Sequence, residues 1–221
     1  MKRYIFIIMT ISVILTACHD DTYIPLVELG AVEKDLVFSP ESGTAEIHVY
    51  ANGAYKVELL NTPNWLTIDS FSGNSDGVIN VSCSANDGFR RREFLVLKSE
   101  LDSRTDTVFV KQAGAIEEVL QMENTTIAFD AEGGEKSETI NTNVPSGEIK
   151  ISVEYPSDDQ WIESWRLTEA DNIMLNITAN PNNESDSRSA VMTVTYVDGW
   201  GKSMSLTLTL KQEASVNTTF N

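Results

Sequence analysis

From Thr44 onward the chain alternates between apolar and polar positions. Ala45, Ile47, Val49 and Ala51 are separated by Glu46, His48 and Tyr50, and Ile79, Val81, Cys83 and Ala85 keep the same rhythm. Far downstream, Met204, Leu206, Leu208 and Leu210 interleave with Ser205, Thr207, Thr209 and Lys211. Successive side chains of a strand point to opposite faces, so a period of two marks strands with one buried and one wet face. Asn52-Gly53, Gly73-Asn74, Asp87-Gly88, Gly133-Gly134 and Asp198-Gly199 interrupt these runs as turn signals. No long segment of helical period follows the N-terminal stretch. The pattern predicts an all-β protein.

The pattern also repeats. Leu36–Gly43, "LVFSPESG", is echoed by Ile127–Gly134, "IAFDAEGG", and "NWL" at Asn64–Leu66 returns as "QWI" at Gln160–Ile162. Ala85-Asn86 then matches Ala179-Asn180, Arg92 matches Arg188, and Lys111-Gln112 matches Lys211-Gln212. Five landmarks in one order indicate a tandem duplication. About seven short strands in each copy of roughly 90 residues, with frequent turns, predict two tandem immunoglobulin-like β-sandwich domains. The expected boundaries are 34–114 for the first sandwich and 115–214 for the second, with 215–221 as a tail.

The N-terminus is built differently. Tyr4 to Leu15 is an apolar run of about a dozen residues, short of the roughly 20 that span a bilayer as a helix. Lys2 and Arg3 precede it and Thr16 and Ala17 close it, which is the arrangement of a secretory signal over residues 1–17. Leu15-Thr16-Ala17-Cys18 resembles the bacterial lipoprotein box, in which cleavage precedes the cysteine and its sulfur takes a diacylglycerol. That resemblance implies lipidation of Cys18 and a membrane contact through acyl chains, each buried methylene contributing about 0.8 kcal/mol. His19-Asp20-Asp21 resembles the acidic surface-export signal of Bacteroidetes lipoproteins, which implies an outer-membrane protein facing the exterior. Residues 18–33 then read as an acylated tether. With Cys18 acylated, Cys83 has no partner and reads as a buried small hydrophobe.

The landmarks carry a further resemblance. Pro63-Asn64-Trp65-Leu66, Ser72-Gly73, Ala85-Asn86, Arg92 and Lys111-Gln112-Ala113-Gly114 together resemble the BACON family, the Bacteroidetes-associated carbohydrate-binding often N-terminal domain. The second copy is similar through Trp161, Ala179-Asn180, Arg188-Ser189-Ala190 and Lys211-Gln212, lacks the Ser-Gly turn and is more divergent. The resemblance implies the sandwich fold, a bacterial cell-surface setting and association with polysaccharide or mucin glycans.

Charge narrows the partners. With 16 basic and 33 acidic side chains the formal net charge is −17, which repels phosphate backbones, so no nucleic-acid partner is expected. Trp65 and Trp161, shared by both copies, read as core packing, and Gln112 and Gln212 as amides that satisfy backbone groups at the end of each sandwich. Arg92 and Arg188 read as donors to loop carbonyls. Residues found in one copy alone are better candidates for binding. Trp200 in the turn "DGWGK", Asp198 beside it, and Trp165, which aligns with Asp69 of the first copy, are the candidate ligand-binding residues. An aromatic ring held on a turn suits stacking on the apolar face of a sugar; packing between the two domains is the competing use.

Other chemistry finds little footing. The acidic loops around Asp69, Asn74 and Asp76, and around Asn182–Asp186, lack the full alternating ligand pattern of a calcium loop. His19 and His48 are the chain's two histidines and carry no zinc spacing, so no metal and no cofactor are expected. No nucleophile elbow, phosphate-cradling loop or His–carboxylate–nucleophile set is present. The expectation is a non-catalytic surface lipoprotein that binds glycan or mucin in a polysaccharide-handling system. The alternative is a structural spacer or assembly subunit whose partner is a neighbouring surface protein.

Overall fold

The computed structural model describes residues 26–169 and 172–215. The signal, Cys18 and the start of the expected tether lie outside the described residues, as does most of the expected tail. The described chain is all-β apart from one turn of 3₁₀ helix at Ser146–Glu148.

The first sandwich contains nine strands: β1 (Leu29–Ala31), β2 (Asp35–Phe38), β3 (Gly43–Ala51), β4 (Tyr55–Leu59), β5 (Leu66–Ile68), β6 (Ser72–Gly73), β7 (Gly77–Cys83), β8 (Arg91–Ser99) and β9 (Thr105–Gln112). One sheet has the order β1-β3-β7-β5 and the other β2-β9-β8-β4-β6. The second sandwich contains β10 (Leu120–Met122), β11 (Thr126–Phe129), β12 (Gly134–Thr142), β13 (Lys150–Glu154), β14 (Ile162–Glu169), β15 (Ile173–Ala179), β16 (Arg188–Val197) and β17 (Ser203–Gln212). Its sheets run β10-β12-β15-β14 and β11-β17-β16-β13. The two orders correspond strand for strand, save that β6 has no counterpart. Each copy contains one parallel pair, β2 with β9 and β11 with β17, and the remaining pairs are antiparallel.

The alternating pattern sets the registers. Ile47 and Val49 of β3 and Ile79 and Val81 of β7 face inward onto Leu95, Leu97, Val108 and Val110. In the second copy Leu175, Ile177, Met192, Val194, Leu208 and Leu210 do the same. A one-residue slip in any strand would turn its apolar set to water, so the pattern fixes the pairing. The buried residues form two separate clusters, one core per sandwich. Cys83 lies in the first as a buried free thiol.

Two expectations change here. The first sandwich starts before residue 34: Leu29–Ala31 pairs antiparallel with Val49–Ala51, and Ala31 is buried. A three-residue strand containing Gly30 is too short to display a period. Ala85 lies exposed beyond the end of β7, so the alternation there stops at Cys83.

Candidate functional site

The duplicated polar residues close one end of each sandwich. The Gln112 side chain donates Nε2 to the carbonyls of Glu41 and Ser84, at 3.1 and 2.9 Å, and its Oε1 accepts from Arg91 Nε at 2.9 Å. Gln212 donates to Asp130 and Asn180 carbonyls at 3.1 and 2.9 Å and accepts from Arg188 Nε at 2.9 Å. Both glutamines are almost wholly buried, and so serve the backbone, as expected. Arg91 stands 4.5 Å over the Trp65 ring and Arg188 5.4 Å over Trp161. Trp161 is buried at the core against Phe129, while Trp65 is partly buried on the edge of its own core.

These contacts correct the repeat alignment. The counterpart of Arg188 is Arg91, not Arg92, because Arg91 pairs with Gln112 as Arg188 pairs with Gln212. The counterpart of Asn86 is Asn182, not Asn180. Both are buried, and each donates its amide to two loop carbonyls, Phe89 and Ala113 in one case and Asp186 and Glu213 in the other. Adjacent arginines and a single alanine match offered nothing to separate these registers.

Arg92, released from that role, reaches the other domain. Its Nη1 donates to the Trp200 carbonyl at 2.7 Å. The Trp200 indole N–H lies 3.2 Å from both the Arg91 and Gln112 carbonyls, and Arg90 sits 5.2 Å over the ring. The turn that carries it is shaped by Asp198, whose Oδ1 accepts from the Trp200 and Lys202 backbone N–H groups at 2.9 and 2.8 Å. Asp198 Oδ2 faces Arg90 at 3.4 Å, and Arg90 Nε donates to Glu118 at 2.9 Å. Phe89, from the first sandwich, packs against the second core. A Cβ on Gly199 would lie 1.9 Å from the Arg90 carbonyl oxygen, so the backbones touch where only glycine fits.

This is a junction between the sandwiches, and it changes the expected role of two candidates. Trp200 is half-buried against the first domain rather than open on its turn, and Asp198 is buried with its carboxylate committed to the turn and to Arg90. The polar turn looked unable to bury a ring within its own domain; the burying surface comes from strands about 90 to 110 residues earlier in the chain. Trp165 is the candidate that remains exposed, at 41%, on the sheet-edge strand β14, in register with Ile177.

The acidic loops are occupied by their own chain. Asp69 accepts from the Asn80 backbone and side-chain amides at 2.9 and 2.6 Å, and these bonds hold its carboxyl below the usual range. Asp76 accepts from Ala51 N–H at 2.7 Å. A polar concavity of about 600 Å³ is lined by Gln121, Glu123, Asn124, Glu138, Asn141 and Asn172 among others.

One further surface holds aromatic side chains. On the outer face of the five-stranded sheet, Phe94 of β8 and Phe109 of β9 lie directly opposite each other with ring centroids 5.2 Å apart. Leu60 extends the row, its N–H bonded to the Phe94 carbonyl at 3.0 Å, and Val37 stands one row along. Neither phenylalanine was among the expected site residues. The signal was present: each alternates with inward Leu95, Val108 and Val110, which places it outward.

A BACON domain is found at residues 28–115, matched by the model described as the viral BACON domain. The match begins one residue before β1 and ends just past Gly114. Among solved structures, the chain is similar to a Bacteroides ovatus GH5 xyloglucanase in complex with a XXXG heptasaccharide, with 17% identity and a TM-score of 0.36. That match covers 48% of this chain and 22% of the enzyme, so the chain spans about a fifth of its length. It is also similar to titin Ig tandem domains A164-A165, with 6% identity over 86% of this chain and 100% of that one at a TM-score of 0.32. A chimeric titin Z1Z2-Z1Z2 tandem matches with 11% identity over the same shares at a TM-score of 0.38. No curated protein matches the sequence. A BACON domain within an immunoglobulin-like architecture fits a non-catalytic binding or accessory role.

Proposed function

We propose that this chain is a non-catalytic lipoprotein of the outer membrane, held by acyl groups on Cys18 and facing the exterior, where it retains polysaccharide or mucin glycans for a polysaccharide-handling system. The observation that carries the glycan reading is the BACON domain at residues 28–115. The anchoring rests on Leu15-Thr16-Ala17-Cys18 and the acidic residues after it. The second sandwich is a divergent copy of the first; its strand order and its Gln212–Arg188–Trp161 set support that reading. Trp165, exposed on its edge strand, is the candidate contact in this copy.

The alternative, a spacer or assembly subunit bound to a neighbouring surface protein, is favoured by one specific observation. The junction ties the two sandwiches together through contacts a flexible pair would not need. Retention of the purified protein on a panel of soluble polysaccharides and mucin supports the glycan role. Failure on the whole panel, with co-purification of a surface protein, supports the alternative. A fatty-acid probe fed to the producing cells should label the protein and leave Cys18→Ser unlabelled. Protease shaving of intact cells should remove it.

A further inference from the structure

The outer face of the β2-β9-β8-β4-β6 sheet carries an apolar row that the fold does not require. Phe109, 37% exposed, and Phe94 stand side by side across β9 and β8, and Leu60, 64% exposed, continues the row on the β4 side. The second sandwich supplies an internal control. Counting from the paired Arg91 and Gln112, and from the paired Arg188 and Gln212, the same two positions hold Val191 and Thr209, which also face each other. The same strands therefore pair with no aromatic there, so strand pairing does not require the phenylalanines.

The margin of the row can form hydrogen bonds, and its acids are held in pairs with bases. Asp35 lies in register with Phe109 and Val37 with Lys111, and Lys111 bonds Asp35 at 2.5 Å. Glu58 and Lys98 form a second such pair at 2.5 Å, and Arg92 stands 5.3 Å over Phe94. In a chain with 33 acidic and 16 basic residues, both acids of this margin are already paired with lysines, and Arg92 is the one base left over. A strongly charged partner gains little from it. An uncharged one loses nothing.

Size decides between the remaining occupants. Strands lie about 4.8 Å apart, so a row across three strands extends roughly 10 Å between its outer strands. A stable protein interface buries about 800 Å² on each side, far more than such a strip offers. The two rings meet edge to face at 65°, with Arg92 over Phe94 and Lys111 5.5 Å over Phe109; a short run of sugar rings fits along them, its C–H groups against the open ring edges and Leu60 and its hydroxyls toward Asp35, Lys111 and Glu58.

We infer that the Phe94–Phe109 face of the first sandwich is the binding platform for an uncharged polysaccharide. The inference rests on the glycan-holding reading above and names the site and ligand class for it. Its test is affinity electrophoresis of the whole secreted chain in native gels containing, separately, a soluble β-glucan, a galactomannan, a xylan and dextran. The wild type is retarded by at least one of them. Phe94→Val with Phe109→Thr, which installs the residues the second sandwich carries in that register, weakens retention at least tenfold with little change in melting temperature. Phe109→Thr alone, at an exposed position that cannot unfold the sheet, moves in the same direction. Val78→Ala, at an exposed position on the other sheet of the first sandwich, retains binding. If the double variant is retarded as strongly as the wild type, the platform is wrong while the glycan reading stands. If the wild type runs freely in all four gels, the platform for an uncharged polysaccharide falls, and retention on mucin then decides the broader glycan reading.

Discussion

Replacing Gly199 with alanine adds one methyl group at the point where the two sandwiches touch. The new Cβ would lie 1.9 Å from the Arg90 carbonyl oxygen and 2.8 Å from its carbon, both backbone atoms that cannot swing aside. Reaching the 3.0 Å floor of real Cβ contacts requires the turn to retreat by about 1 Å. The Trp200 N–H already lies 3.2 Å from both of its acceptors, so the same retreat carries it past hydrogen-bonding distance. Two hydrogen bonds at about 1 kcal/mol each and an Arg90–Trp200 contact of about 1 kcal/mol would go, giving roughly 2–4 kcal/mol of lost coupling. Neither core is touched. The expected result in urea is that one cooperative transition of the wild type separates into two, each domain unfolding with its own midpoint. Calorimetry should show the same splitting. A single transition with an unchanged midpoint and slope would refute the reasoning, because the junction would then tolerate a displacement that these distances forbid.

Three further outcomes follow from named contacts. Gln112→Ala leaves the Glu41 carbonyl and the Arg91 Nε–H without their buried partner, while Arg91 Nη2 still reaches the Ser84 carbonyl, and should cost about 1–3 kcal/mol in chemical denaturation of the first sandwich. Glu93→Ala should cost about 1–3 kcal/mol there, since this buried carboxylate accepts from the Asn61 and Phe94 backbone N–H groups at 3.2 and 2.8 Å. Burial works against the ionised form of Asp106, but its bonds from Lys34 and from the Ala31 and Thr107 N–H groups prevail and lower its pKa. Its contribution is therefore complete above the unfolded value near pH 4 and disappears as pH falls through the lower folded value. Asp106→Asn should flatten that acid limb in a pH series of urea midpoints, and an unchanged limb would count against the assignment.

The sequence made some of this architecture legible and hid the rest for physical reasons. Strands such as β3, β7 and β17 bury one face and wet the other, so their period shows in the residues themselves. The likeness of the two sandwiches was visible because both place a tryptophan and a glutamine at corresponding positions. Their exact partners were not: Arg90, Arg91 and Arg92 are adjacent, and only the pairing of β8 with β9 shows that Arg91 meets Gln112. The three arginines then divide among Glu118, Gln112 and the Trp200 carbonyl.

Trp200 marks the limit of local reading. A ring between two glycines on a turn looks exposed when its surroundings are taken from its neighbours in sequence. Its real surroundings come from the first sandwich, and chain-distant packing leaves no periodic trace. Phe94 and Phe109 are the opposite case. Their outward phase could be read from the strands, but their pairing across β8 and β9 needed the register. The second sandwich then gave the comparison from which the platform is inferred, with Val191 and Thr209 in the same places.

The account depends on the two sandwiches behaving as one rigid unit that presents its faces in a fixed relation. Residual dipolar couplings of backbone N–H vectors, measured on the intact chain in a weakly aligning medium, test this directly. The account predicts that the couplings of both sandwiches fit a single alignment tensor with these coordinates. Tensors of different magnitude or orientation for residues 28–115 and for the second sandwich would contradict it.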